Sequence, residues 1–190
     1  MMAEPVGPRA PRAPEPGGNR QRQREEYLSG LLQASAVSLE DLSPATRTAL
    51  HEYARFMLLV ASAQSASWNS PVIELCRAVE SEVAVALGDC PGLRGLRNET
   101  TLGEKAQLLR NLTAATRGWL PSQQYLPYVA NNLAKHLHEL AQIRRVSGAA
   151  HGGTNERHAT RADHDRILLI SLTGREAVIP SLARLRRRAR

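Results

Sequence analysis

Residues 124–146 read Gln124-Tyr-Leu-Pro-Tyr-Val-Ala-Asn-Asn-Leu-Ala-Lys-His-Leu-His-Glu-Leu-Ala-Gln-Ile-Arg-Arg-Val146. Leu126, Val129, Leu133, Leu137 and Leu140 recur at helical spacing, with Ala130, Ala134 and Ala141 beside them. That pattern predicts a long amphipathic helix. With Leu133 at zero, Leu137 lies at about 40°, Leu140 at about 340° and Arg144 at about 20°, while Arg145 lies at about 120°. Arg144 continues the apolar face and Arg145 flanks it.

The same period recurs on either side. Ser43-Pro44 is an N-cap followed by Pro at the first helical position, and Leu50, Ala54, Met57, Leu58 and Ala61 follow to about residue 66. Ser70-Pro71 repeats that start, Val72, Cys76, Val79, Val83 and Leu87 form the stripe, and Gly88 stops it. Thr101-Leu-Gly-Glu104 is a capping box opening a helix to about Arg117. Thr160 caps a helix over 161–172, Gly174 breaks it, and a shorter segment from Glu176, interrupted by Pro180, runs into the C-terminus. No stretch alternates with period two. Aromatics are 4% of the chain and hydrophobic residues 42%, a core of Leu, Ala and Val that suits packed helices better than a sandwich. The expected fold is an all-α, up-and-down bundle of about five helices.

Charge marks the ends. The net charge is +7, but residues 1–24 hold five Arg against two Glu, and 184–190 hold five Arg and no acid. The body between is close to neutral, so the basic balance belongs to the tails. Arg outnumbers Lys 23 to 2, a bias that composition alone can produce, and it is not read as phosphate recognition. Residues 1–24 carry Pro5, Pro8, Pro11, Pro14 and Pro16 and are expected to be a disordered Pro/Arg-rich tail. The helical domain is placed at 25–185 and a basic tail at 186–190. Cys76 and Cys90 are the only cysteines, which excludes a Cys-rich zinc site and disfavours a disulfide scaffold. No apolar run is long enough for a membrane span, and no secretory signal follows the N-terminus, so a cytoplasmic location is expected.

His136, His138, His158 and His164 lack the spacing of a metal site. Ser147 and Ser181 lack the strand-turn-helix context of a triad nucleophile. The informative stretch is the end of the long helix, where Arg144-Arg145-Val-Ser147 leads through Gly-Ala-Ala to His151-Gly-Gly. Six residues separate Arg144 from His151 and five separate Arg145 from it. An all-helical chain with an Arg, a short gap and a His at the end of one long helix resembles the HEPN superfamily. The helix from Ser70 to Leu87, the Thr-Leu-Gly-Glu start at 101–104 and the Thr160 helix after a Gly-rich loop extend the resemblance over roughly 43–185. In that family the Arg is commonly followed at once by a polar residue. Here Ser147 holds that polar place, and the Arg stands one or two positions upstream.

The resemblance implies a dimer in which two motif helices face each other across one cleft. In active members the cleft cuts RNA without a metal, and no cofactor is called for. His151 would move protons between the ribose 2′-OH and the departing 5′-oxygen, and Arg145 or Arg144 would hold the phosphate. Ser147 would be a polar auxiliary and Glu80 a supporting acid. The run Arg186, Arg187, Arg188 would add a salt-sensitive grip on RNA phosphates. Such an enzyme fits a toxin or defence system, with an antitoxin or other protein as partner. The alternative is an inert HEPN-like module that binds a protein partner or a nucleotide-handling enzyme. A bland reading stands beside both: Arg144 snorkelling from the apolar stripe, and His151 as an ordinary loop residue.

Overall fold

The computed structural model describes residues 16–60, 67–88, 93–97, 101–110, 128–146 and 158–188. Those residues form an all-α bundle with no strand among them. Helix α1 is Pro16–Leu32, α2 is Pro44–Val60, α3 is Asn69–Leu87 and α4 is Leu102–Arg110. A π-helical stretch, Tyr128–Leu133, runs directly into α5, Ala134–Val146. Helix α6, Arg161–Leu168, continues as a second π-helical stretch, Leu169–Thr173, and α7 is Val178–Arg188.

Helix α3 is the spine. Its stripe of Val72, Cys76, Val79, Val83 and Leu87 is buried as the spacing predicts, together with Leu75 and Ala78. It packs against α2, α5, α6 and α7. Gly88 ends it without adopting the left-handed conformation expected of a C-terminal glycine; it stays right-handed at φ −66°. A Cβ there would run into the Ala84 carbonyl oxygen and the Arg97 side chain, so close approach, not φ, explains the glycine. Helix α4 packs along α5, whose core side is Leu133, Leu137 and Leu140, with Val129 buried in the π-helical turn.

The caps follow the sequence closely. Ser43 Oγ accepts from Thr46 N at 3.1 Å. Thr101 Oγ1 accepts from Glu104 N at 3.3 Å while Glu104 Oε2 accepts from Thr101 N at 2.7 Å. Thr160 and Asp163 close the same reciprocal box, with Asp163 N donating at 3.2 Å and Thr160 N at 2.9 Å. Each box satisfies two backbone donors that a helix start otherwise leaves open. Helix α3 begins at Asn69, one residue before the expected Ser70 cap. Leu58, placed on the α2 stripe, is 36% exposed and Met57 only packs against the core from the side.

Three expected boundaries need correction. The tail placed at 1–24 overlaps α1, which starts at Pro16. Proline density drew the limit too far along: residues 19–32 are Arg, Gln, Glu and Leu-rich and contain no Pro. Leu28 and Leu32 of this helix are in the core, and Arg22 pairs with Glu26 at 2.8 Å one turn on. Pro180 does not interrupt the last helix. It lies in the first turn of α7, where a missing N–H costs no intrahelical bond. The basic tail placed at 186–190 overlaps α7 as well, because that helix runs to Arg188. The expected helix starts at Gln124 and ends near Arg117 lie outside the described residues.

Candidate functional site

Helices α4 and α5 enclose a groove of about 440 Å³. Arg144, Arg145, His138 and Gln142 line it from α5, and Arg110 and Gln107 from α4. Leu102, Gly103 and Ala141 form its apolar floor. None of the described residues lining it is acidic. The volume and the mixture of an apolar floor with a few polar groups are those of a small-ligand site.

Arg144 and Arg145 are placed differently. Arg144 sits under the groove wall, and its Nη1 donates to Glu80 Oε1 of α3 at 3.0 Å. Both side chains are about three-quarters buried. Burial pushes the Glu80 carboxyl above its ordinary range, opposed by Arg144, by Lys105 and by a bond from the Leu102 backbone. Lys105 is itself buried, its Nζ donates to Leu96 O at 2.6 Å, and burial lowers its pKa. Arg145 is exposed, and its Nη2 donates to Gln142 Oε1 at 3.1 Å. The structure thus brings Arg144 to Glu80 and sets Arg144 and Arg145 on the same groove. Ser147 and His151 lie outside the described residues.

The C-terminal arginines are elsewhere and are committed. Arg186 Nη2 pairs with Glu82 Oε1 at 2.9 Å and also donates to the Asp41 carbonyl. Glu82 is fully buried, and its Oε2 accepts from Ser43 N at 3.1 Å and from Thr46 Oγ1 at 2.7 Å. Arg187 forks onto Asp41, Nε to Oδ1 at 2.7 Å and Nη2 to Oδ2 at 2.9 Å. The Asp41 carboxyl is held below its ordinary range, first by the Ser38 backbone N–H and then by the Ser38 hydroxyl and Arg187. Arg184 Nη1 donates to Ser35 O at 2.8 Å. Arg186 and Arg187, expected in a loose basic tail, instead clasp α7 to α3 and to the α1–α2 connection. The Arg188 side chain lies outside the described residues.

A second polar cluster lies in the core. Tyr27 Oη meets Tyr53 Oη at 3.4 Å, Tyr53 Oη meets His164 Nε2 at 3.1 Å, and His164 Nδ1 meets Asp165 Oδ1 at 2.9 Å. Burial raises the Tyr53 pKa and lowers that of His164, in the latter case against the attraction of Asp165. Trp68 lies across His164 with ring centroids 4.8 Å apart. Cys76 is fully buried, and burial pushes its thiol up to about 12, so it is no nucleophile. Among the described residues no three His, Cys, Asp or Glu side chains group as metal ligands. No described helix is long and apolar enough to cross a membrane.

Sequence reasoning missed His138, Arg110 and Lys105 as parts of this region. His138 had a signal: it precedes Arg145 by seven residues, two helical turns, so both fall on one side of α5. Arg110 and Lys105 had none, because nothing local says that α4 packs along α5.

No family model, no curated protein and no solved structure matches this chain.

Proposed function

We propose that this chain is a metal-independent endoribonuclease of the HEPN type, working at the α4–α5 groove. The observation that carries the reading is the groove itself: arginines on both walls, an imidazole on one, and no carboxylate among the described residues that line it. A guanidinium keeps its charge and binds phosphate oxygens in a fork, which suits a phosphodiester that gains charge as it is attacked. Arg145 is the phosphate ligand in this reading. Arg144, with its charge balanced by Glu80, sets the wall behind it. His151 moves protons, Ser147 assists, and a second copy of the chain completes the cleft. The cytoplasm, a toxin or defence role and an antitoxin-like protein partner belong to the same proposal.

The Arg144–Glu80 pair favours a second reading. An Arg neutralised by its own fold is what an inert HEPN-like interaction module would hold, with the groove taking a protein partner. The two separate in one assay. Purified protein is incubated with a mixed RNA pool in the presence of a chelator, and the cut ends are analysed. The ribonuclease gives 2′,3′-cyclic phosphate ends that persist with chelator and fall on the order of 10²–10⁴-fold in His151→Ala. Equal inactivity of wild type and His151→Ala across RNA substrates and salt leaves the interaction module as the account.

A further inference from the structure

The geometry points to His138 as an acid–base group of the α4–α5 groove, acting beside Arg145 on the phosphodiester of a bound RNA strand. This rests on the ribonuclease reading above. It adds a proton-transfer group on the helix wall itself, outside the Arg/His motif that suggested that reading.

Side chains on an α-helix lean toward its N-terminus, over the preceding turn. Arg145 does so: its guanidinium reaches back to Gln142 Oε1 at 3.1 Å. Gln142 is in turn four residues after His138, one turn further back on the same side. Imidazole, carboxamide and guanidinium therefore form a row along one wall of the groove, with Arg110 on the wall across from it. His138 is half-buried, so it is held by the wall yet open to a ligand in the groove.

Among the described residues lining the groove, the charges are of one sign. Arg144 and Arg145 stand on the same helix as His138, Arg110 on α4, and Glu80 of α3 lies behind, paired to Arg144. A phosphate drawn to Arg145 and Arg110 would bring its ribose alongside the imidazole. His138 takes the proton of the ribose 2′-OH as the 2′-oxygen bonds to phosphorus and the bond from phosphorus to the 5′-oxygen breaks. The departing 5′-oxygen then takes that proton from His138. The imidazole ends the step in its starting protonation state, and the products are a 2′,3′-cyclic phosphate and a 5′-hydroxyl. Imidazole suits the task because it exchanges protons near neutral pH.

The test is the pH–rate profile of RNA cleavage by wild type, His138→Ala and His138→Gln, with circular dichroism confirming the fold of each. His138→Gln keeps a helix-favouring chain of similar length, so it remains informative if the alanine variant does not fold. The expected result is a loss on the order of 10²–10⁴-fold, disappearance of the acidic limb of the profile, and partial rescue by added imidazole. Cleavage at the wild-type rate with both limbs intact overturns the role of His138 and leaves the ribonuclease reading standing. So does a loss of rate with both limbs kept and no rescue, which marks a purely structural histidine. Absence of cleavage by wild type overturns the ribonuclease reading and this inference with it.

Discussion

Helix α3 carries three acids, and two of them, Glu80 and Glu82, lie on opposite sides and each meet an arginine from a later helix. Glu80 turns to α5 and pairs with Arg144 at 3.0 Å, and Glu82 turns to α7 and pairs with Arg186 at 2.9 Å. The chemistry is the same but the settings differ. Glu82 is fully buried and accepts two further hydrogen bonds, from the Ser43 amide and the Thr46 hydroxyl, while Arg186 also binds the Asp41 carbonyl. Glu80 keeps about a quarter of its side chain exposed and borders an open groove. Spacing two residues apart is enough to assign one acid to a lock and the other to the groove's supporting wall, because successive helix positions two apart diverge by about 200°.

The comparison breaks first at the lock. Arg186→Ala strands a carboxylate with no exposure, and removing one partner of a buried pair costs about 3–5 kcal/mol. Urea denaturation should show that loss, whereas Arg144→Ala should cost about 1 kcal/mol, mostly from the packing of its stem. Equal costs for the two substitutions would erase the distinction between lock and wall.

A smaller effect sharpens it through pH. The His164 pKa lies below its ordinary value of 6.5, chiefly because its site is dry. The unfolded chain therefore binds a proton more readily than the folded one just below that value. The contribution of neutral His164 is fully present above pH 6.5 and is lost as pH falls through the lowered folded value. Glu80 runs the other way: its raised pKa makes the folded state hold a proton more tightly, so that stability contribution shrinks as pH rises above 4.5. The His164 part of the unfolding free energy should thus be lost between pH 7.5 and pH 5, and His164→Gln should remove that part of the slope. A slope unchanged by the substitution would show that the Tyr27–Tyr53–His164–Asp165 chain does not carry the acid sensitivity.

The legible part of this molecule was local. The stripes of α3 and α5, the boxes at Thr101 and Thr160, and the Ser43 cap could be read because each depends on residues within a turn or two. Glu80 could be named beside Arg144 only through a family resemblance, since 64 residues separate them. The clasp of Arg186 and Arg187 on Asp41 and Glu82 was not legible. A run of five arginines reads as a solvated tail until the fold supplies buried acids for it. The start of α1 was missed for a related reason: the run of prolines ending at Pro16 masks the Gln/Arg/Glu segment after it, whose helix is fixed by burying Leu28 and Leu32.

The central claim is that the α4–α5 groove works while the α7 clasp only holds. It is tested most directly by measuring RNA cleavage and melting temperature on the same preparations of wild type, Arg145→Ala and Arg186→Ala. The account predicts a crossing. Arg145→Ala keeps its melting temperature and loses cleavage by roughly 10²–10³-fold, the scale of one lost charge-stabilising donor. Arg186→Ala melts markedly lower, yet cuts at the wild-type rate wherever it is still folded. An Arg145→Ala protein that cleaves like wild type, or a folded Arg186→Ala protein that does not cleave, contradicts it.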